Sequence, residues 1–156
     1  MTDNTSNSPA FSFKNNENAN QGQTFDIDSV FQSLKYNEQG LIPAIAQQYD
    51  TKEVLMMAWM NAASLRETVD KGRVCYFSRS RQSLWRKGET SGQVQVLKEL
   101  RMDCDGDTLL VLVDQTGPAC HTGRRNCFYL AVNQDGINNI TVTDAPLIDP
   151  KELYKK

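Results

Sequence analysis

The sequence predicts an α+β domain: a mostly antiparallel twisted sheet with two or three short helices. Three observations carry that expectation. Short apolar runs bounded by turn residues recur along the chain ("LIPAIAQQY", "VLMMAWM", "RVCYFS", "TLLVLV", "CFYLAV"). Helical spacing of apolar residues with capping signals is confined to two short stretches. The later strands follow one another without the helical insertions that parallel neighbours need. At 156 residues and 39% hydrophobic content, the chain has the size of one domain with a real core.

Taken in order, residues 1–24 are rich in Asn, Ser and Gln and poor in aliphatics, which predicts a disordered tail. The domain is predicted over residues 25–135, followed by a polar C-terminal extension over 136–156. "FDIDSVFQSL" (Phe25 to Leu34) has helical spacing, with Asp26 or Asp28 available as cap. "LIPAIAQQY" and "VLMMAWM" read as two strands of a hairpin turning at "DTKE". In "NAASLRETVDKG", Asn61 caps a helix, Ala62, Leu65 and Val69 form its apolar face, and Gly72 ends it. "RVCYFS" is a buried strand with Cys75 as a core residue. "RSRQSLWRKGETSGQ" is too polar and too long for a plain turn and reads as a functional loop. "VQVLKELRM" is a further strand, and "TLLVLV" and "CFYLAV" read as core strands.

A net charge of −2 gives no global basic field to recruit nucleic acid or an anionic membrane, so any anion must be met locally. The longest apolar run, Val54 to Met60, is far short of the roughly 20 residues that span a bilayer. The opening "MTDNTSNSPAFSFKNN" has neither a basic n-region nor an apolar h-region, which predicts a cytoplasmic, reducing location. The four cysteines are then expected as thiols or metal ligands rather than disulfides.

Two patterns point to metals. In extended chain, Asp103, Asp105 and Asp107 of "DCDGD" leave on one face and Cys104 on the other. Three neighbouring carboxylates repel unless a cation neutralises them, and oxygen donors suit Mg²⁺. The competing reading is a solvated Asp-Gly turn. An EF-hand fails, because Thr108 stands where that loop requires glycine. Cys104, Cys120 and Cys127, spaced C-x15-C-x6-C, match no zinc-finger pattern, but the last two lie in a polar, glycine-containing stretch. Three thiolates leave the fourth position of zinc open for water, the pattern of a catalytic site. His121, the single histidine, stands beside Cys120 as a candidate base or ligand, or as an ordinary polar residue.

Together, "LWRKGETSG", "DCDGD" and "GPACHTGRRNCFY", in that order, resemble the phosphoribosyl-AMP cyclohydrolase family over about Tyr36 to Val132. The resemblance implies an interlocked homodimer. It implies zinc on Cys104, Cys120 and Cys127, the first reaching a site completed by the other chain, and Mg²⁺ on Asp103, Asp105 and Asp107. It implies hydrolytic opening of an N1-alkylated adenine ring at the C6–N1 bond, the third step of histidine biosynthesis, with His121 as the candidate catalytic group. The substrate carries two phosphates. Arg79, Trp85, Arg86, Lys87, Thr90, Ser91 and Gly92 are the expected binding residues, with Arg81 in the same loop and Arg124 and Arg125 nearer the zinc ligands. A zinc nucleobase deaminase is disfavoured, since "GPACHTG" lacks a C-x-x-C pair and no H-x-E stands upstream. A structural zinc module that mediates dimerisation is the non-enzymatic alternative.

Overall fold

The structure, a computed structural model, describes residues 11–133 and 139–154. Its centre is the expected hairpin: β1 (Ile42–Gln48) pairs antiparallel with β2 (Val54–Met60) from Ile42↔Met60 to Gln47↔Val54. β1 alternates buried and half-buried residues because it lies in the middle of the sheet. α2 (Ala62–Lys71) begins and ends where its caps predict. The Asn61 side chain accepts from the Ser64 amide (2.8 Å), the Ser64 hydroxyl accepts from the Asn61 amide (2.9 Å), and Gly72 closes the helix in the left-handed conformation. The buried Thr68 hydroxyl bonds the backbone amide and carbonyl of Cys75, seating α2 on β3 (Cys75–Ser78).

The sheet has six strands in the order β4-β3-β2-β1-β6-β5, where β4 is Ser83–Arg86, β5 Gln95–Met102 and β6 Leu109–Gln115. It is mostly antiparallel, as predicted. The exception is β1 against β6, parallel from Ala44↔Leu109 to Gln48↔Val113. The connection between them is the whole path through β2, α2, β3, β4 and β5, so a search for a short helical crossover overlooks it. Ile42, Leu55, Met60, Leu65, Val74, Tyr76, Leu109, Val111 and Val113 make the fully buried core.

Three expectations change. β4 lies inside the stretch read as a polar loop: "SLWR" pairs with β3 from Cys75↔Arg86 to Ser78↔Ser83. "CFYLAV", read as a core strand, reduces to β7 (Leu130–Val132), which pairs with β8 (Ile140–Val142) outside the main sheet. Leu130, Val132, Ile140 and Val142 are all exposed there. Apolar character suits a strand in either sheet; the Cys127 amide just before it donates to Leu55 O (2.7 Å).

The third change concerns the N-terminal segment. Residues 1–10 of the predicted tail lie outside the described residues. Phe11 to Thr24 carries a 3-10 turn at Lys14–Asn16, and Phe11 meets Phe13 and Phe25 edge-to-face at 4.8 and 5.0 Å. The polar average of the segment hid these phenylalanines. α1 (Ile27–Gln32) follows, capped by Asp26 as predicted but shorter than the apolar spacing suggested. Of the C-terminal extension, residues 136–138 and 155–156 are outside the described residues, and α3 (Pro150–Leu153) buries Leu153.

Leu65→Ala removes a fully buried side chain from the α2 contact. The expected cost is about 2–5 kcal/mol, read as a lower urea midpoint with the slope unchanged; a loss well under 1 kcal/mol contradicts this packing.

Candidate active site

β5 and β6 are joined by a tight turn. The Asp103 amide donates to Thr108 O and the Gly106 amide to Asp103 O, both at 3.1 Å. The Asp103 carboxylate accepts from the amides of Asp107 (2.9 Å) and Thr108 (3.3 Å). Gly106 has φ +76°, a conformation that costs a side chain strain. Curled in this way, Asp103, Asp105 and Asp107 bring one carboxylate oxygen each to within 4.8 Å of the others. The predicted convergence is present, but the alternation that predicted it is not. A turn, rather than a pleat, gathers the three side chains, and Cys104 is an exposed residue of that turn.

The electrostatics follow from the crowding. Desolvation, the largest influence on Asp103, raises its carboxyl, but hydrogen bonds from Asp107, Thr108 and Asp105 bring it below the usual range. Asp107 is raised, first by its hydrogen bond with Asp103, then by desolvation and the charges of Asp103 and Asp105. The opposite shifts of these two carboxyls express their crowding. A hard divalent cation would offset that repulsion, and the all-oxygen donor set fits Mg²⁺.

At the far end of β6 the chain turns into the segment carrying Cys120 and Cys127. Backbone bonds fold it into a narrow loop: Ala119 N to Arg125 O (3.0 Å), Cys120 N to Arg124 O (3.1 Å) and Gly123 N to Cys120 O (3.0 Å). Gly123 packs so closely on the segment Pro146 to Ile148 that a Cβ there would meet Pro146 Cβ at 3.4 Å and Ile148 C at 3.1 Å. The Thr122 hydroxyl donates to Cys120 Sγ (3.2 Å). For the buried Cys120, desolvation is the largest influence and raises the thiol. Hydrogen bonds from Thr122 and Cys127 more than offset it, so the net shift is downward. Cys127 is pushed up to about 12 by desolvation, then by Cys120. Two neighbouring thiols, one shifted down and the other up, form a sulfur donor pair that fits zinc.

Cys104 does not join them. The seven residues of β6 span roughly 20 Å, whereas thiolates sharing a zinc each lie about 2.3 Å from it. Among the described residues, the aspartate cluster is the only group of three or more candidate metal ligands. Cys75 is buried as expected, its thiol pushed up to about 11 by desolvation and then by Glu67.

The loop is held by Arg125, which the sequence offered for phosphate, and by polar residues that the sequence did not single out. Arg125 donates to Gln115 O (3.0 Å), Gly117 O (2.6 Å) and Gln48 Oε1 (3.0 Å), and pairs with Glu53 at 3.4 Å. Behind it runs a buried chain: Tyr76 OH donates to Gln95 Oε1 (2.7 Å), and Gln95 Nε2 to Gln115 Oε1 (2.8 Å). Gln115 Nε2 in turn donates to Thr116 O (2.8 Å). Buried amides are tolerable only when satisfied in this way, and satisfied they fix the start of the loop. Arg124 covers Tyr129 at 4.1 Å and bonds Asp144 O (2.7 Å). Both arginines thus have structural partners in this chain.

Of the expected substrate-binding residues, Trp85, Arg86, Lys87, Thr90 and Ser91 line one cleft of ≈ 390 Å³. Trp85 also stacks on Tyr76 at 5.3 Å, and Arg86 is held bidentate by Glu67 at 2.6 and 2.9 Å. Lys87 is buried, and desolvation lowers its pKa while the neighbouring Cys127 and Cys120 oppose that shift, so its ammonium lies within the field of the thiol pair. Arg79 lies outside the cleft, over the Trp59 ring at 5.0 Å, and Gly92 is likewise not part of its lining. His121 is exposed beside Cys120.

Arg125→Lys cannot reproduce the fork and is expected to cost about 1.5–3 kcal/mol in stability. The exposed Arg81→Lys is expected to stay within about 0.5 kcal/mol. Equal urea midpoints for the two variants would contradict the clamp.

A model of the family described as phosphoribosyl-AMP cyclohydrolase matches residues 56–129, which include both ends of β6. Among curated relatives, the phosphoribosyl-AMP cyclohydrolase of Hydrogenovibrio crunogenus is 62% identical over 149 residues, covering 96% of this chain and 99% of that protein. That of Alkalilimnicola ehrlichii is 62% identical over 144 residues (92% and 99%), and that of Magnetococcus marinus 70% over 124 residues (80% and 94%). With this identity along nearly the whole chain, and with the acidic turn, the cysteine loop and the Trp85–Ser91 cleft in place, the chain belongs to the phosphoribosyl-AMP cyclohydrolase family.

Proposed function

We propose that the chain opens the adenine ring of N1-(5-phosphoribosyl)-AMP by zinc-assisted hydrolysis, the third step of histidine biosynthesis, in the cytoplasm and as a homodimer. The observation that carries the reading is the folding together of Cys120 and Cys127 at one end of β6 while Cys104 stands at the other. Cys120 and Cys127 would hold zinc with Cys104 of a second copy, and Asp103, Asp105 and Asp107 would hold Mg²⁺. Zinc bound there supplies the Lewis acidity that makes water a competent nucleophile near neutral pH.

The remaining chemistry falls to the chain's own groups. Alkylation at N1 leaves the ring cationic and C6 electrophilic. Water adds at C6, and His121, exposed beside Cys120, takes the proton that the water loses. The C6–N1 bond then breaks with its electron pair on N1, which takes up the proton of the C6 hydroxyl as the carbonyl forms, and the original amino group stays as a carboxamide. The Trp85–Ser91 cleft supplies the local positive charge for phosphate through Lys87, with the hydroxyls of Thr90 and Ser91 as donors. Arg86 donates its Nε–H and one Nη2–H to Glu67, which leaves its other three N–H groups available to an anion.

Purified protein incubated with phosphoribosyl-AMP is expected to form the ring-opened carboxamide, to lose that activity on zinc chelation, and to regain it with zinc but not with Mg²⁺ alone. Absence of product under every metal condition would sink the proposal. Loss of the dimer on chelation without any turnover would favour the structural zinc module.

A further inference from the structure

The N-terminal segment, which precedes the residues matched by the family model, bears directly on the acidic turn. Gly106 is buried, although its neighbours Asp105 and Asp107 are exposed. What buries it is Phe13. A Cβ on Gly106 would fall 2.7 Å from both Cδ2 and Cζ of that ring, so the ring lies flat against the one residue of the turn with no side chain to keep it away. On its other side, the Gly106 carbonyl accepts from the Lys35 amide (2.8 Å), just past α1. Phe13 is itself anchored. Its ring packs on Phe11 at 4.8 Å and against the core, Phe11 packs on Phe25 at 5.0 Å, and Phe11 O accepts from the Ser33 hydroxyl at 2.6 Å.

We infer that Phe13 is a positioning residue for the divalent cation: pressed on Gly106, it holds the turn in the curled form in which Asp103, Asp105 and Asp107 converge. The inference rests on the reading of that turn as the Mg²⁺ site. The physical need is plain, because three carboxylates brought within 4.8 Å repel, and a polar turn has no packing of its own to resist opening. The ring contributes that packing at Gly106, and Asp103, Asp105 and Asp107 stay exposed, where a cation can enter. Supports one layer removed from the metal commonly decide its affinity because they fix the ligands in place beforehand.

The test is a Mn²⁺ titration of the full chain, zinc loaded, followed by electron paramagnetic resonance as a measure of free ion. Phe13→Ala is expected to weaken Mn²⁺ binding by about tenfold or more, with zinc content unchanged and with kcat recovering at saturating divalent ion. A merely structural role would lower thermal stability without moving the Mn²⁺ affinity of the folded protein. Ser33→Ala, a milder loosening of the same anchor, is expected to shift the affinity in the same direction by a smaller factor, and it serves if Phe13→Ala fails to fold. Asp105→Asn separates the two layers of the claim. If Asp105→Asn loses binding while Phe13→Ala or Ser33→Ala binds as the parent does, the positioning role is overturned and the Mg²⁺ reading stands. If Asp105→Asn binds normally, the turn is not the cation site and both fall.

Discussion

β6 is a seven-residue strand with five buried residues, paired parallel to β1 on one side and antiparallel to β5 on the other. Held on both edges, it cannot bend to bring its ends together. One end opens into the Asp103–Thr108 turn and the other into the loop of Cys120 and Cys127, so the strand separates a hard oxygen cluster from a soft sulfur pair by roughly 20 Å. The three converging oxygens at one end and the two sulfurs at the other each suit a different metal, while Cys104 stands among the aspartates without joining the sulfur pair. The same separation leaves the sulfur pair short of a third cysteine within its own chain. A second copy presenting Cys104 is the proposed remedy, and it would make catalysis depend on assembly.

Rigidity has to be transmitted from the strand to the loops, and the two ends achieve this differently. At the sulfur end it is polar: Tyr76, Gln95 and Gln115 form a buried hydrogen-bonded chain, and Arg125 ties Gln115 and Gly117 to Gln48 and Glu53. Such a network is costly when incomplete and specific when satisfied, which suits a loop that must hold two thiols at a fixed separation. At the acidic end the restraint is apolar, through Phe13 on Gly106. An apolar support there adds no charge and no competing donor beside three carboxylates.

What the sequence made legible was local. The caps of α2, the β1/β2 hairpin and the burial of Cys75 depend on neighbouring residues, and all appear as read. The site residues were legible as types, since Asp103, Asp105 and Asp107 do converge and Cys120 and Cys127 do lie together. Their geometry was not: alternation placed the aspartates on one face of a strand, whereas a turn gathers them. Non-local pairings left no mark either. Gln95 is buried because Tyr76 and Gln115, each about twenty positions away, can satisfy its amide, and nothing in "VQVLKEL" says so. Arg125 illustrates a different loss. An arginine that binds phosphate and one that clamps carbonyls are the same letter, and only the carbonyls of Gln115 and Gly117 distinguish them. Phe13 was lost to averaging, a few aromatic residues in a segment otherwise suited to disorder.

In the proposed assembly β6 divides one zinc site between two chains. Cys104→Ser and Cys120→Ser, each inactive alone, test it when mixed, dissociated and reassembled. In a mixed dimer one site receives Cys120 and Cys127 from the first variant and Cys104 from the second, so about one of its two sites is intact by symmetry. Activity should therefore return on mixing, together with zinc bound to that single site. No recovery, with subunit exchange demonstrated independently, would mean that each zinc site is built from one chain and that the account given to β6 is wrong.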